Sequence, residues 1–253
     1  MNNLKLFDFP LVFTQIPRIL RYLPITMEIA LISFLGSVIT GFLVALIKIR
    51  KIKILSPLAG FYVSFTRGTP VLVQLYLTYY GLPMFFMAVN RYYGTSFNVN
   101  GIAPIVFALV ALSLNEAAYS SESIRAALES VDKGQMEAAL SIGMTTPQAL
   151  RRIILPEALI VALPSLGNSF IGLIKGTSLV FVTAVVEMTA AGKLLASKNF
   201  RFFEMYITLA IVYWIVTAVF AALIRVWEKK LRCNERLTPV KAAKKTTEER
   251  SGA

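Results

Sequence analysis

Long apolar runs constrain this chain more than any other feature of its sequence. Apolar residues make up 56% of its 253 residues, and the mean hydropathy of +0.65 lies well above that of water-soluble domains. A helix that crosses a bilayer needs about 20 apolar residues, since each adds about 1.5 Å across a hydrocarbon layer about 30 Å thick. The sequence therefore predicts an all-α polytopic membrane protein with five transmembrane helices. The predicted spans are Leu23–Ile47, Thr69–Val89, Ile102–Ser121, a run that begins after Pro156, and Met205–Ile224.

The fourth apolar run is too long for a single crossing. It continues from Pro156 to about Ala191 and is interrupted at Lys175-Gly176-Thr177. This pattern predicts a span followed by a second, shorter segment.

Basic residues predict the orientation, because those near span ends are retained in the cytoplasm. The link between the first two spans carries Lys48, Arg50, Lys51 and Lys53 without an acid, whereas the next link contains only Arg91. Nine basic residues lie between Arg225 and the end of the chain. We expect the N-terminus outside and the C-terminus in the cytoplasm.

This orientation divides the chain into three parts. Residues 1–22 are predicted to be a short external segment along the surface, and 23–230 the transmembrane domain. Residues 231–253 are polar and charged, which is typical of a disordered cytoplasmic tail.

The net charge of +12 falls largely on the cytoplasmic flanks, so it indicates contact with anionic lipid and not nucleic-acid binding. Cys233 is the single cysteine and cannot form an internal disulfide, while the chain has no histidine. We therefore expect no metal site, no catalytic residue and no enzyme activity.

The segment from about 126 to 155, between the third and fourth spans, predicts a pair of short cytoplasmic helices. The first covers about Lys133–Ile142, and Gly143 can adopt the left-handed conformation that ends it. Thr145 or the following threonine caps the second, with Gln148 at the spacing of a capping box. Pro156 is expected to close it.

The spacing of this segment resembles the EAA loop of ABC importer permeases. Glu137-Ala138-Ala139 is followed after three residues by Gly143, then by Ile153 and Leu155-Pro156. In that family the loop forms coupling helices that dock on an ATPase subunit, and the alternative is an ordinary amphipathic connector. The resemblance assigns ATPase coupling to Glu137, Ala138, Ala139, Gly143, Ile153, Leu155 and Pro156.

Other stretches resemble the polar-amino-acid branch of the same family: Phe65–Pro70, Ala118–Glu122, Lys133-Gly134-Gln135 and Ile174–Leu179. The resemblance implies a permease subunit of an ATP-driven importer in a bacterial plasma membrane. Its implied partners are a second permease subunit, identical or related, an ATPase and an extracytoplasmic amino-acid-binding protein. The sequence has no phosphate-binding loop, so ATP and magnesium belong to the partner ATPase and no cofactor to this chain.

Polar residues within the spans are candidates for the substrate path, because they are costly in lipid unless they face a bundle interior or water. The alternative for Glu116 is a bond between helices, for instance to Arg67, and Glu28 and Glu187 are more typical of structural pairs or of positions that water reaches. Thr177 and Ser178 follow the helix break, where freed backbone groups can meet a zwitterion. The candidates are Arg67, Asn115, Glu116, Tyr119, Glu122, Thr177 and Ser178.

A competing interpretation is an ion-coupled secondary transporter or a channel, which would also carry a few buried charges in its spans. Such proteins usually have more spans and internal repeats, and the helix pair between spans three and four favours the importer. A membrane-embedded enzyme has no cluster of catalytic groups to support it.

Overall fold

The computed structural model describes residues 7–98 and 101–236, with side chains up to residue 231. These residues form helices and connecting turns without a β-strand, which confirms the all-α prediction. The helices are α1 (Phe9–Thr14), α2 (Ile16–Leu20), α3 (Leu23–Ile49), α4 (Leu55–Gly68), α5 (Val71–Tyr93), α6 (Pro104–Glu129), α7 (Lys133–Ser141), α8 (Thr146–Ala149), α9 (Leu155–Gly176), α10 (Met188–Asn199) and α11 (Phe202–Arg236).

Five helical segments are long and apolar enough to cross a membrane, as the sequence predicts. They are α3, α5, α6, the stretch Thr146–Thr183 and the part of α11 up to Leu231. The 27 residues of α3 extend over about 40 Å, enough to cross the hydrocarbon layer with some tilt. Proline lies in the first turn of α3 and α6, where its missing N–H leaves no hydrogen bond unmade.

The central helix is α6, which packs against α3, α4, α5 and α9. Its contact with α3 is close because both helices bury small residues along it. A Cβ atom at Gly41 would lie 3.0 Å from the backbone nitrogen of Ser121 and 3.1 Å from the carbonyl oxygen of Ala117. Small residues at such crossings let membrane helices approach each other closely, so Gly41 fixes how tightly α3 lies on α6.

The fourth span differs from the prediction at Pro156. The helix does not close there, because a π-helical turn at Leu150–Ile154 joins α8 to α9, and Pro156 lies in the first turn of α9. The N–H of Leu155 bonds to the carbonyl of Leu150, five residues back. We attribute the continuation to this wider turn, which accommodates a proline ring that would otherwise clash with the preceding turn.

The predicted interruption after the fourth span is present. Helix α9 ends at Gly176, a 3-10 helix covers Thr177–Thr183, and Ala184 adopts a left-handed conformation with φ +60°. The shorter segment expected beyond it is α10.

The N-terminal segment packs more deeply than a chain lying along a surface. Val12 of α1 and Ile19 of α2 are buried, and Thr208 of α11 donates a 2.9 Å hydrogen bond to the carbonyl of Val12. Residues 1–6 lie outside the described part. At the other end, α11 continues to Arg236, inside the range assigned to the tail, and 237–253 also lie outside the described residues.

Candidate functional site

A polar cleft of about 440 Å³ lies among α4, α6 and α9. It contains four of the seven residues predicted for the substrate path, Arg67, Glu116, Tyr119 and Glu122. Its remaining lining residues are Ser123, Ser165, Asn168 and Ser169. A second opening of about 580 Å³ shares Arg67, Tyr119 and Glu122 with it, so the two form one continuous polar surface.

Two polar stripes line this cleft. On α6, Glu116, Tyr119 and Ser123 recur at the three- and four-residue spacing that puts side chains on one helix face. On α9, Ser165, Asn168 and Ser169 do the same.

Hydrogen bonds join the stripes across the cleft. The hydroxyls of Ser123 and Ser165 are 2.7 Å apart, and Ser169 bonds to the carboxyl of Glu116. The residues of the α9 stripe were not among the predicted path residues, although the regular spacing of three polar residues within an apolar span could have identified them.

The charged groups of the cleft are not paired with each other. The guanidinium of Arg67 lies 5.3 Å from the ring centroid of Tyr119, a cation–π distance. Among the side chains the structure describes, the ion pairs do not include Arg67 or Glu116. The alternative of a bond between Glu116 and Arg67 is therefore not formed, and both groups can meet a ligand.

Helix α4 is held in position by Tyr62, whose hydroxyl donates to the carbonyl of Leu114 on α6. Burial raises the pKa of the Tyr62 phenol to about 12, further above neutral pH than its ordinary value of about 10. The bond anchors the helix that carries Arg67 beside the cleft.

Glu122 lies at the rim of the cleft but is already neutralised. Lys48 of α3 and Arg125 of α6 both pair with its carboxylate, Arg125 at 2.8 Å, and Arg125 also bonds to Glu129 at 2.7 Å. This row of alternating charges ties the end of α3 to α6. Glu122 is thus better suited to holding helices together than to binding a cation.

The other three predicted path residues lie apart from the cleft, and two of them, Asn115 and Thr177, bond to neighbouring groups. The amide of Asn115 donates at 3.0 Å to Gln74, which in turn donates to the carbonyl of Thr66 at 2.8 Å. Thr177 is buried and donates to the carbonyl of Ile174 at 2.7 Å. Ser178 is half-buried in the 3-10 helix.

Glu187 precedes α10 and is fully buried, which agrees with the structural role expected for it. Its two oxygens accept 2.9 Å hydrogen bonds from the N–H groups of Thr189 and Ala190. The hydroxyl of Tyr213 on α11 donates a third bond, also 2.9 Å. The carboxyl caps α10 and ties it to the last span. Glu28, in contrast, is exposed on α3.

The segment between α6 and α9 forms the expected helix pair. Asp132 caps α7 by accepting from the N–H of Gly134 at 2.9 Å, and Gly143 has φ +87°, the left-handed conformation. At the start of α8, the N–H of Thr145 donates to the side chain of Gln148 at 2.9 Å, completing the capping box.

The helix pair has one buried and one exposed side. Ala139 packs inward, whereas Glu137 and Ala138 are exposed. Two large apolar residues are exposed as well: Leu140 at 44% and Ile142 at 77%. Two large apolar side chains exposed close together outside a membrane span are available for contact with another protein. Neither was selected at the sequence level, although large apolar residues in a segment outside the spans were the available signal. Ile153 is half-buried, and Leu155 and Pro156 are exposed.

Five helical segments long enough to cross a membrane, a polar cleft among α4, α6 and α9, and an exposed helix pair beyond the spans are the architecture of an integral membrane transport subunit. The chain belongs to the family described as "Binding-protein-dependent transport system inner membrane component", which matches residues 19–232, and within it to the amino-acid ABC transporter permeases.

Similar proteins cover nearly the whole chain. It is 46% identical over 226 residues to "Probable amino-acid ABC transporter permease protein PatM" of Vibrio harveyi, covering 89% of this chain and 96% of that protein. "Probable amino-acid permease protein YxeN" of Bacillus subtilis is 44% identical over 224 residues, covering 88% and 96%. "L-cystine transport system permease protein TcyL", also of Bacillus subtilis, is 40% identical over 231 residues, covering 91% and 94%.

Solved structures agree with this assignment. The chain matches "Crystal structure of an amino acid ABC transporter with histidines" with a TM-score of 0.73 and 33% identity, over 88% of this chain and 99% of the other. A methionine ABC transporter, MetNI, in an inward-facing conformation matches with a TM-score of 0.62 and 17% identity, over 89% and 99%, and supports the fold alone.

Proposed function

We propose that this chain forms the translocation path of an ATP-driven importer for amino acids and couples that path to a separate ATPase chain. The observation that carries the proposal is that the end of α7 exposes two large apolar residues, Leu140 and Ile142, and that α7 packs against α8, which continues through the π turn into the fourth span. A partner that binds this face can move a helix that lines the polar cleft. ATP and magnesium are bound by that partner.

The opposite charges of the cleft are suited to a zwitterionic substrate. Glu116 offers a negative group to an α-ammonium, and Arg67 offers a guanidinium suited to a carboxylate. Serine hydroxyls and the amide of Asn168 supply further hydrogen bonds. Related proteins named for cystine and nopaline transport support amino acids and their derivatives as the substrate class.

The assembly we propose contains a second permease subunit, identical or related, and an extracytoplasmic amino-acid-binding protein. Five spans in one chain enclose too little to form a closed path, which supports a pair of permeases facing each other. The family description itself refers to binding-protein-dependent transport.

The proposed orientation has the N-terminus outside and the C-terminus in the cytoplasm of a bacterial cell. It rests on the basic residues after α3 and along α11. A cysteine in place of Lys51 is then reachable in intact cells only by a reagent that crosses the membrane. The same holds for Lys245, which lies outside the described residues. Labelling of either by an impermeant reagent contradicts the orientation.

The test of coupling is Ile142→Asp, which puts a charge on the exposed apolar face without disturbing the buried side of α7. We expect the variant chain to be produced and inserted normally, and the ATPase to be lost from the purified complex. Ile142→Val is the matched control and keeps the ATPase. Gly143→Asp strains the left-handed turn as well and has the same effect.

Two outcomes would count against the proposal. Retention of the ATPase and wild-type uptake in Ile142→Asp would show that Ile142 takes no part in coupling to the ATPase. Uptake into vesicles driven by an ion gradient without ATP would instead support a secondary transporter or a channel.

A further inference from the structure

An apolar groove of about 300 Å³ lies where α6 and α9 meet α3. Its lining is entirely apolar and includes Ile39 and Leu43 of α3, Ile124 of α6, and Leu155 and Leu159 of α9. The volume is at the lower end of the range of small-molecule sites, about 300–1,000 Å³.

The groove is open to the surroundings of the bundle. Ile39, Leu43 and Leu159 are 65%, 56% and 57% exposed. All three lie in membrane-spanning helices, so the medium that reaches them is the acyl chains of the bilayer. The acyl chain of a bilayer lipid is therefore the group that lies next to the groove.

One end of the groove carries basic residues. Arg50 directly follows α3, seven residues or two helical turns beyond Leu43, and Arg152 lies in the π turn three residues before Leu155. Ala45 near the end of α3 and Ile154 in the π turn belong to one cluster of buried residues, so both arginines lie at the same end of the bundle.

These two arginines are available to a ligand. Both are exposed, and the ion pairs formed by the described side chains do not include them. The neighbouring acids do not cancel their charge: Glu129 is bonded to Arg125 at 2.7 Å, and Glu157 lies two residues beyond Leu155, on the other side of the helix.

We propose that this groove binds an anionic phospholipid, with an acyl chain between α3 and α9 and the phosphate at Arg50 and Arg152. The guanidinium fork suits phosphate oxygens, and basic pockets between membrane helices are suited to anionic lipid headgroups. The chain's own C-terminal segment is a poorer occupant, because residues 237–253 carry four basic and two acidic residues and would be repelled by the same arginines. This site does not use Leu140 or Ile142, the residues on which the proposed coupling rests.

The test uses a photoreactive benzoylphenylalanine at Leu159, in the full chain purified with its bound partners. The protein is reconstituted into vesicles of equal parts phosphatidylglycerol and phosphatidylcholine, and the adducts are identified by mass. The matched control position is Val219, which is 53% exposed on α11 away from the groove. An anionic headgroup gains about fivefold in affinity for each basic residue it meets.

We expect the ratio of phosphatidylglycerol adducts to phosphatidylcholine adducts to be about five- to thirty-fold higher at Leu159 than at Val219. In the double variant Arg50→Gln, Arg152→Gln, the ratio at Leu159 falls to the ratio at Val219. Arg225→Gln removes one exposed charge from α11 and leaves the ratio at Leu159 unchanged.

Three outcomes would overturn the site. They are equal ratios at the two positions, an adduct at Leu159 with the terminal segment or a second protein chain, and loss of enrichment in Arg225→Gln as large as that in the double variant.

Discussion

Glu116 in the cleft and Glu187 at the start of α10 are the same side chain in two different settings. Glu187 is fully buried, and two backbone N–H groups and a tyrosine hydroxyl satisfy its oxygens. Glu116 is only partly buried, bonds to Ser169 and lines an open cleft. A carboxyl whose bonds are all made within the protein holds the framework, whereas one with remaining bonding capacity beside a cavity can bind a ligand.

The largest effect is expected from Glu187→Ala. The substitution leaves two N–H groups of α10 without an acceptor in a buried site and removes one bond of the Tyr213 hydroxyl, which keeps the Thr189 hydroxyl at 3.1 Å, so the free energy of unfolding falls by about 3 kcal/mol. Thermal melting of the purified protein in detergent measures this loss. Glu187→Gln keeps one acceptor oxygen and should lose less. A melting temperature unchanged by Glu187→Ala would contradict a framework role.

Glu116→Gln should act on uptake and not on stability. It keeps the size of the side chain and removes the charge available to an α-ammonium, so we expect amino-acid uptake into proteoliposomes to fall at least about tenfold, the equivalent of about 1.4 kcal/mol. Assembly, melting and basal ATPase activity should stay near wild type. The control is Glu129→Gln, an exposed acid at the end of α6.

Two results would contradict the proposed role of Glu116 in substrate binding. Loss of assembly in Glu116→Gln would indicate a structural role like that of Glu187. Wild-type uptake would remove Glu116 from the path.

Tyr213→Phe removes one of the three donors to Glu187 and leaves the N–H groups in place. We expect a loss of about 1 kcal/mol in the free energy of unfolding, with uptake by the assembled protein unchanged. Combining it with Glu187→Ala should add less than the sum of the single losses, because the two side chains share a bond. Full additivity in a double-mutant cycle would contradict that bond.

The smallest effect is expected from Ser169→Ala, which removes the bond to Glu116. Since the carboxyl remains solvated in the cleft, melting should change by less than about 0.5 kcal/mol and uptake by about twofold. A loss of uptake as large as that of Glu116→Gln would give Ser169 a direct part in substrate binding.

Local features of the sequence predicted local structure well. The left-handed Gly143, the capping box of Thr145 and Gln148 and the break after Lys175 depend on neighbours a few residues away, and all are present. The prediction that the second helix closes at Pro156 was wrong, also because of residues close to it in sequence. Proline ends an α-helix but is tolerated after a π turn, and no residue type in Leu150–Ile154 identifies such a turn.

Contacts between helices could not be predicted in the same way. The third span was expected to end near Ser121, yet α6 continues to Glu129. Its charged last turns pair with one another and with Lys48.

The assignment of residues to the substrate path also depends on packing contacts that the sequence does not predict. Asn115 and Thr177 are polar within spans, as expected of path residues, but they bond to Gln74 and to the backbone. Which polar group finds a partner depends on packing.

The π turn has a mechanical consequence. Because it keeps α8 and α9 in one helix, the stretch from Thr146 to Gly176 is a single rod about 45 Å long, and Pro164 lies near its middle. A missing backbone bond makes that point the softest, so the stretch bends there. A bend of about ten degrees moves the α8 end by about 4 Å relative to the half of α9 beyond the proline. A push on the exposed helix pair would then bend the helix directly before Ser165, where the stripe that lines the cleft begins.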